Sequence, residues 1–356
     1  MGIAQESYFC LFMARNYLYI FSLIPTALNL IGNLNGGYLA GTNIAFTFLF
    51  LGLVEWFSGT NTSNNHSEEN SKLPIILLYL HVIGNTLVVA SLVYGIYSGI
   101  LSEGFVIMAA ISTGIHTATS AVVISHELIH KSGKLPRAMG KYLLAIAGNV
   151  YFYIHHLRIH HRYVATDHDA ASARYNESLY SFIGRSISGQ LTQAWESEAQ
   201  LVRKSGKSTL SINHYMVRAI LVQLIIMLSI TWFLGYPGLL AWLINIVIAA
   251  IMLEYVNYIE HYGLQRKENQ QVNAQHSWNC NKYISRFLLV DLSRHADHHL
   301  FANKSYHTLQ THDEAPTLPG GYAALIVPAF IPPIWRALVH PILHKWHKNN
   351  ELRIEA

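Results

Sequence analysis

The chain of 356 residues is 51% hydrophobic and only 12% charged, whereas a soluble domain carries about 25% charged residues. That deficit argues against an ordinary water-exposed surface, and a formal charge of +4, scattered along the sequence, argues against a nucleic-acid binder. Two distant cysteines, Cys10 and Cys280, exclude a disulfide framework and any Cys-x-x-Cys metal site. The unusual figure is 21 histidines. Imidazole is the commonest metal ligand, so the positions of these residues carry the argument.

A bilayer crossing needs about 20 mostly apolar residues. Six stretches qualify: 16–34, 38–56, 74–99, 104–125, 215–235 and 239–258. The first begins at Asn16 and Tyr17 with no small-residue cleavage site after it, and reads as a retained helix. With the N-terminus in the cytoplasm, the outer connections fall near 35–37, 100–103 and 236–238, and none contains lysine or arginine. Basic residues collect on the cytoplasmic side, as the positive-inside rule requires. The apolar stretches 140–154 and 321–339 read as interfacial or buried segments. The first is too short to span and the second is broken by Pro328, Pro332 and Pro333. The link 57–72, with Glu68 and Glu69, reads as a polar loop, and 155–213 as cytoplasmic helices. The expected architecture is an all-α integral membrane protein of one domain. Six spans form a bundle, with a histidine-rich cap at its cytoplasmic end.

The first histidine cluster, His126-Glu127-Leu-Ile-His130, closes the fourth span. Residues four apart share a helix face, so both rings can reach one ion. The same spacing occurs in zinc proteases. The second cluster is His156, His160 and His161, preceded by His155. On an α-helix His156 and His160 share a face, and His161 points about 100° away. The third is His295, His298 and His299, and His261 stands alone just past the sixth span. All nine fall at one membrane face. One zinc takes about four ligands, so nine imidazoles suit two ions, and neutral nitrogen donors suit iron, copper, nickel or zinc. His116 and His81 lie inside spans and are expected to bond a neighbouring helix. The role of His276 is open. His66, His168, His214, His307, His312, His340, His344 and His347 are expected at the surface or interface.

Metal-bound imidazoles usually donate their other N–H to a carboxylate or carbonyl. Glu127, Glu254, Glu260, Asp291 and Asp297 are placed to accept, and Glu260 is also a candidate ligand. Phe46, Leu49 and Trp56 share a face of the second span and are candidates for lining a substrate channel.

His126-Glu-Leu-Ile-His130-Lys131, His156-x-x-x-His160-His161, Asn257-Tyr-Ile-Glu-His261-Tyr-Gly-Leu264 and Arg294-His295-Ala-Asp-His298-His299 resemble the boxes of the AlkB-type alkane monooxygenases, within the membrane desaturase–hydroxylase superfamily. The Asn-Tyr-x-Glu-His-Tyr-Gly string is the most specific, since desaturases share the other boxes but lack it. Similarity extends to His276-Ser-Trp-Asn279, Val164-Ala-Thr166, 171–174 and Leu318-Pro-Gly-Gly-Tyr322. It covers most of 100–340. The resemblance implies a non-haem diiron centre of two Fe ions on those nine histidines and hydroxylation of the terminal methyl of medium-chain alkanes with dioxygen. It also implies electrons from a rubredoxin served by an NADH-dependent rubredoxin reductase, and a bacterial inner membrane with the site facing the cytoplasm. Three positions depart from the pattern: His155 replaces a glutamate, Ile159 a glycine, and Gly320 a serine. They leave xylene or toluene methyl groups as alternative substrates. Two further readings are a membrane acyl desaturase or hydroxylase and a divalent-metal transporter. A transporter would place its ligands near the bilayer midplane.

Overall fold

A computed structural model describes residues 16–64 and 71–349; Cys10, His66, Glu68 and Glu69 lie outside them. The described residues are helical, with no strand and only two isolated bridges, Thr60 to Lys282 and Asn279 to Thr317.

Five helices are long and apolar enough to cross a membrane: α1 (Asn16–Asn35), α2 (Gly37–Phe57), α3 (Lys72–Tyr97), α4 (Gly104–His130) and α8 (Tyr215–His261). A straight helix of 47 residues would be about 70 Å long, more than twice the apolar thickness of a bilayer. Gly235 resolves this, because its backbone (φ 62°, ψ −152°) is not helical and Pro237 follows it. The two arms then fold back on each other. A Cβ built on Gly238 would lie 3.0 Å from Ile230 Cγ2, a contact that eight residues of unbroken helix would place about 12 Å apart. Gln223 and Asn245, one on each arm, donate to the adjacent carbonyls of Ala145 and Ile146. Folded as a hairpin, α8 accounts for two crossings, which is compatible with six.

Between the spans run α5 (Lys134–Ala147), α6 (residues 152–163) and α7 (Leu179–Lys204). After α8 come the short α9 (Tyr283–Leu288), α10 (His295–Leu300) and α11 (Tyr322–Phe330), then α12 (Pro332–Asn349). The stretch 140–154 is thus divided between α5 and α6, and 321–339 between α11 and α12, joined at Ile331.

Polar side chains clamp the spans where apolar packing alone would leave their rotation free. His81 bonds Ser22 and Ser120, and His116 bonds Thr26, so both in-span histidines are held by neighbouring helices, as expected. Thr117 donates to Asn245, tying α4 to α8. Three of the residues expected at the surface, His214, His307 and His347, are instead buried. His214, for example, lies under the Trp195 ring and bonds the Trp195 carbonyl.

Three stretches depart from α geometry by adopting π-helix: Ala45–Leu51 in α2, Thr117–Val122 in α4 and His156–His160 in α6. Such segments re-aim the side chains that follow them, and each of these lies beside the site.

Candidate metal centre

Four elements converge at one end of the bundle. The last turn of α4 brings His126 and His130, α6 brings His156, His160 and His161, the end of α8 brings His261, and α10 brings His295, His298 and His299. Their donor nitrogens fall into two compact groups that could each hold a metal ion: His126, His130, His156, His161 and His298, and then His160, His261, His295 and His299.

The division corrects the helical-face reading of the second cluster. In an α-helix His156 and His160 would pair. In the π segment hydrogen bonds run from i to i+5, so His156 and His161 share the first group, with Nε2 atoms 3.0 Å apart. His160 turns to the second group. α10 divides in the ordinary α-helical way, His295 and His299 facing one group and His298 the other.

Within the five-histidine group, Nε2 of His130 lies 3.0 Å from that of His156 and 3.2 Å from that of His161, which is itself 3.1 Å from Nε2 of His298. In the second group His295 Nε2 is 3.1 Å from His261 Nε2 and 2.9 Å from His299 Nε2. A single ring proton cannot satisfy the three nitrogens crowding His161. Two donors bound side by side at about 2.1 Å from one ion stand about 3.0 Å apart, which is the spacing found. His126 Nε2 is buried without a protein partner. Burial also drives His156, His161, His295, His298 and His299 well below the ordinary histidine pKa, keeping the rings neutral with a lone pair available. The donor set therefore fits two nitrogen-bound ions.

The supporting acids differ from those expected. Glu127 pairs with Lys131 at 2.6 Å and accepts from the Tyr306 backbone. Asp291 is bound by Arg286, at 2.7 and 2.9 Å, and by the Tyr19 hydroxyl. Asp297 is taken by Lys304, His312 and the Gln310 backbone. Glu254 faces α7, accepting from Gln190 at 2.7 Å. In these contacts the four acids engage partners other than the nine imidazoles. Glu260 does reach one, its Oε2 lying 3.3 Å from His295 Nε2.

The acid the sequence reading missed is Asp169. Its Oδ2 lies 2.8 Å from His160 Nδ1, and the carboxylate also accepts from the Ser172 hydroxyl and the Ala171 backbone. Burial alone would raise its pKa, but His160, His155 and Ser172 together hold it below the ordinary carboxylate range. The available signal was its position, between 164–166 and 171–174, two segments singled out by resemblance. His155 sits behind this carboxylate, 3.6 Å away and bonded to Gln193, and belongs to neither group. His276 offers its backbone carbonyl to His261 Nδ1 at 3.3 Å.

An apolar cavity between the spans ends on His126, His156, His160 and His295. From α2 it is lined by Thr47, Leu51 and Glu55, four residues apart. Phe46, Leu49 and Trp56 are not in that lining. Leu49 is 72% exposed and Trp56 38% exposed, on the outer side of the helix. Glu55, absent from the sequence-derived candidates, accepts hydrogen bonds from Ser285 and the Ala324 N–H, capping α11 from a neighbouring helix. The α11 N-cap is Gly321, where a Cβ would collide with the Glu55 carboxyl.

Comparison with known proteins accords with this geometry. The family model for fatty acid desaturase matches residues 102–329. Alkane 1-monooxygenase 1 of Pseudomonas aeruginosa is 35% identical over 69% of this chain and 66% of its own length, a little under two thirds. Alkane 1-monooxygenase of Pseudomonas putida is 31% identical, covering 96% of this chain and 88% of that protein. The xylene/toluene monooxygenase hydroxylase component of Pseudomonas putida is 32% identical, covering 91% and 88%. The chain belongs to the fatty acid desaturase family and, within it, groups with the alkane and xylene/toluene monooxygenases.

Proposed function

We propose that this chain is a membrane alkane 1-monooxygenase that hydroxylates the terminal methyl of medium-chain alkanes at two non-haem iron ions. The observation that carries the reading is the arrangement of nine imidazoles in two groups at the end of an apolar cavity. One group supplies five histidines to one ion and the other supplies four to the second. Bound there, the irons supply the reductive activation of dioxygen that attack on an unactivated C–H bond requires.

The protein's own part is binding, aim and exclusion of water. A hydrocarbon dissolved in lipid enters between the spans and is gripped by Leu51, Ala118, Val122 and Met252. Because the cavity is lined mostly by apolar side chains and reaches four of the histidines, a chain-shaped substrate presents one end to the metals. Asp169 fixes the orientation of His160, and the His276 carbonyl that of His261. Electrons come from a separate rubredoxin and its NADH-dependent reductase. The basic cytoplasmic surface, including Arg203, Lys204 and Lys207, is suited to an acidic donor. The setting is a bacterial inner membrane with the metal end in the cytoplasm, as the lysine-free and arginine-free outer connections suggest.

A second reading, oxidation of the methyl groups of xylene or toluene, draws on the 32% identity to the xylene/toluene component, which matches the alkane enzyme of the same organism in identity and coverage. The test feeds octane under labelled dioxygen to membranes containing the chain, a rubredoxin and its reductase, with His261→Ala as control. Labelled 1-octanol, lost in the control, supports the alkane reading. Labelled benzylic alcohol from xylene with octane untouched favours the second. An unlabelled alkene from an acyl substrate would make the chain a desaturase. Absence of iron in the active preparation would refute both monooxygenase readings.

A further inference from the structure

Polar side chains inside a membrane bundle cost stability unless something answers their polar atoms, because lipid offers no hydrogen bonds. Asn29 of α1, Asn43 of α2 and Ser112, Thr113 and His116 of α4 are all buried, none more than 1% exposed. Each keeps one polar atom without a protein partner: the two amide oxygens, the two hydroxyls and His116 Nδ1. Their other polar atoms are anchored. Asn29 Nδ2 donates to the Pro25 carbonyl, Asn43 Nδ2 to the Ser112 carbonyl, and His116 Nε2 bonds the Thr26 hydroxyl. Thr86 and Thr119 donate to the carbonyl one turn earlier in their own helices, whereas Ser112 and Thr113 make no such bond.

The five meet at one depth. The Thr42 hydroxyl donates to the Leu28 carbonyl, which levels Asn29 with Asn43 across the α1–α2 hairpin. Asn43 reaches α4 at Ser112, and Thr26, one turn from Asn29, reaches α4 at His116, one turn further along. The same three helices carry the end of the hydrocarbon cavity remote from the histidines, through Pro25, Thr47, Ala118 and Thr119. Pro25 lies four residues before Asn29, Thr47 lies four after Asn43, and Ala118 and Thr119 follow His116 within one turn. On all three helices the step from cluster to cavity runs toward the metal end. The polar cluster therefore lies about one helical turn, roughly 5 Å, beyond the last residues that line the cavity.

We propose that these five side chains hold ordered water inside the bundle, and that the hydrated cluster closes the remote end of the hydrocarbon cavity and so sets how long a chain fits. Water suits the set. The two amide oxygens need donors, the two hydroxyls can give or accept, and imidazole Nδ1 does either according to its tautomer. A cation would find no carboxylate among the five to offset its charge in a low-dielectric interior. A buried water makes about three hydrogen bonds, so about two waters answer all five atoms. A methyl end pushed into the cluster would displace that water and leave buried polar atoms unanswered, so the cavity takes chains that stop short of it. The length limit rests on the alkane reading, and the hydration does not.

The test has two arms, both on the metal-loaded full chain. High-resolution electron microscopy of the wild type in a lipid nanodisc should show water density within hydrogen-bond distance of Asn29 Oδ1, Asn43 Oδ1 and His116 Nδ1. A dry cluster would overturn the proposal. The second arm offers mixed alkanes, from hexane to hexadecane, to membranes supplied with a rubredoxin and its reductase. It compares wild type with Asn43→Ala and with the double variant Ser112→Ala/Thr113→Val, which removes both hydroxyls with little change of shape. A less polar end wall should move the product distribution toward longer chains, with a gain in relative turnover of about fourfold for each further methylene admitted. If Asn43→Ala fails to fold, the double variant decides alone. Water in place with an unchanged distribution would overturn the length-setting role. A wild type that oxidises xylene and no alkane would refute the alkane reading on which the length limit rests, while the hydration stands or falls on the density.

Discussion

Replacing Asp169 with asparagine removes the negative charge behind His160 while preserving side-chain shape. In the native protein Asp169 Oδ2 lies 2.8 Å from His160 Nδ1, and the same carboxylate is braced by the Ser172 hydroxyl at 2.7 Å and the Ala171 N–H at 3.1 Å. An asparagine oxygen still accepts from Ala171, and its amide can donate to the Ser172 hydroxyl, so the loop survives. The charge-assisted bond that polarises His160 is lost. Disrupting such an outer-sphere partner typically weakens metal binding 10- to 100-fold, equivalent to about 1.4–2.7 kcal/mol. The loss should fall on the four-histidine group, where His160 sits, and spare the five-histidine group. Competition with a chelator, following release of one ion at a time from the purified protein, measures it. Thermal melting of the metal-free forms is the control for folding. If Asp169→Asn holds both ions within twofold of wild type while melting normally, the orienting role assigned to this carboxylate is wrong.

Gly321→Ala should destabilise the protein by about 2 kcal/mol or more, because the new methyl would overlap the Glu55 carboxyl in a packed interior; an unchanged melting temperature would refute the close-approach argument. Leu51→Trp narrows the apolar cavity at its α2 wall, so on the alkane reading turnover of longer alkanes should fall more than that of shorter ones, measured by product ratios. Equal losses would mean Leu51 does not line the path. For pH, burial lowers the His155 pKa from 6.5 to about 4. The unfolded chain therefore takes up this proton first, and the resulting penalty on stability is absent above pH 6.5, grows as pH falls toward 4 and is constant below. The shift corresponds to about 3 kcal/mol, so metal-free His155→Gln should lose less stability than wild type between pH 7 and 4.5 in paired denaturant titrations. Parallel curves would remove His155 as the source.

What the sequence made legible divides along physical lines. Crossings follow from composition, because lipid demands about 20 apolar residues whatever their order, and the hairpin in α8 is announced by Gly235 and Pro237. The nine histidines stand out because spacing on a helix end is a local property. The partners of Glu127, Asp291 and Asp297 lie only four, five and seven residues away, as Lys131, Arg286 and Lys304, and a reading centred on the histidines passed over these nearby cations. Asp169 escaped notice because its contact with His160 closes through a loop with no helical period, turning at Ala165 with a positive φ of 61°.

The π segments mark the boundary between the two kinds of information. An α-helical reading of His156, His160 and His161 finds residues that the structure brings into the two groups but pairs them differently, because periodicity assumes a hydrogen-bond register that a few residues are free to break. Breaking it costs helix stability, and the structure does so in three places, all of them beside the cavity or the metal groups. In α6 the π turn lets three histidines on one short helix join two different donor groups. In α2 the inward face carries Thr47, Leu51 and Glu55, with Leu49 outside. The partition has a direct consequence for mutants. His156→Ala and His161→Ala should weaken the same ion, whereas His160→Ala should weaken the ion that His261→Ala weakens. Metal-release curves that instead paired His160 with His156 would restore the α-helical reading and remove the physical basis for dividing the site five and four.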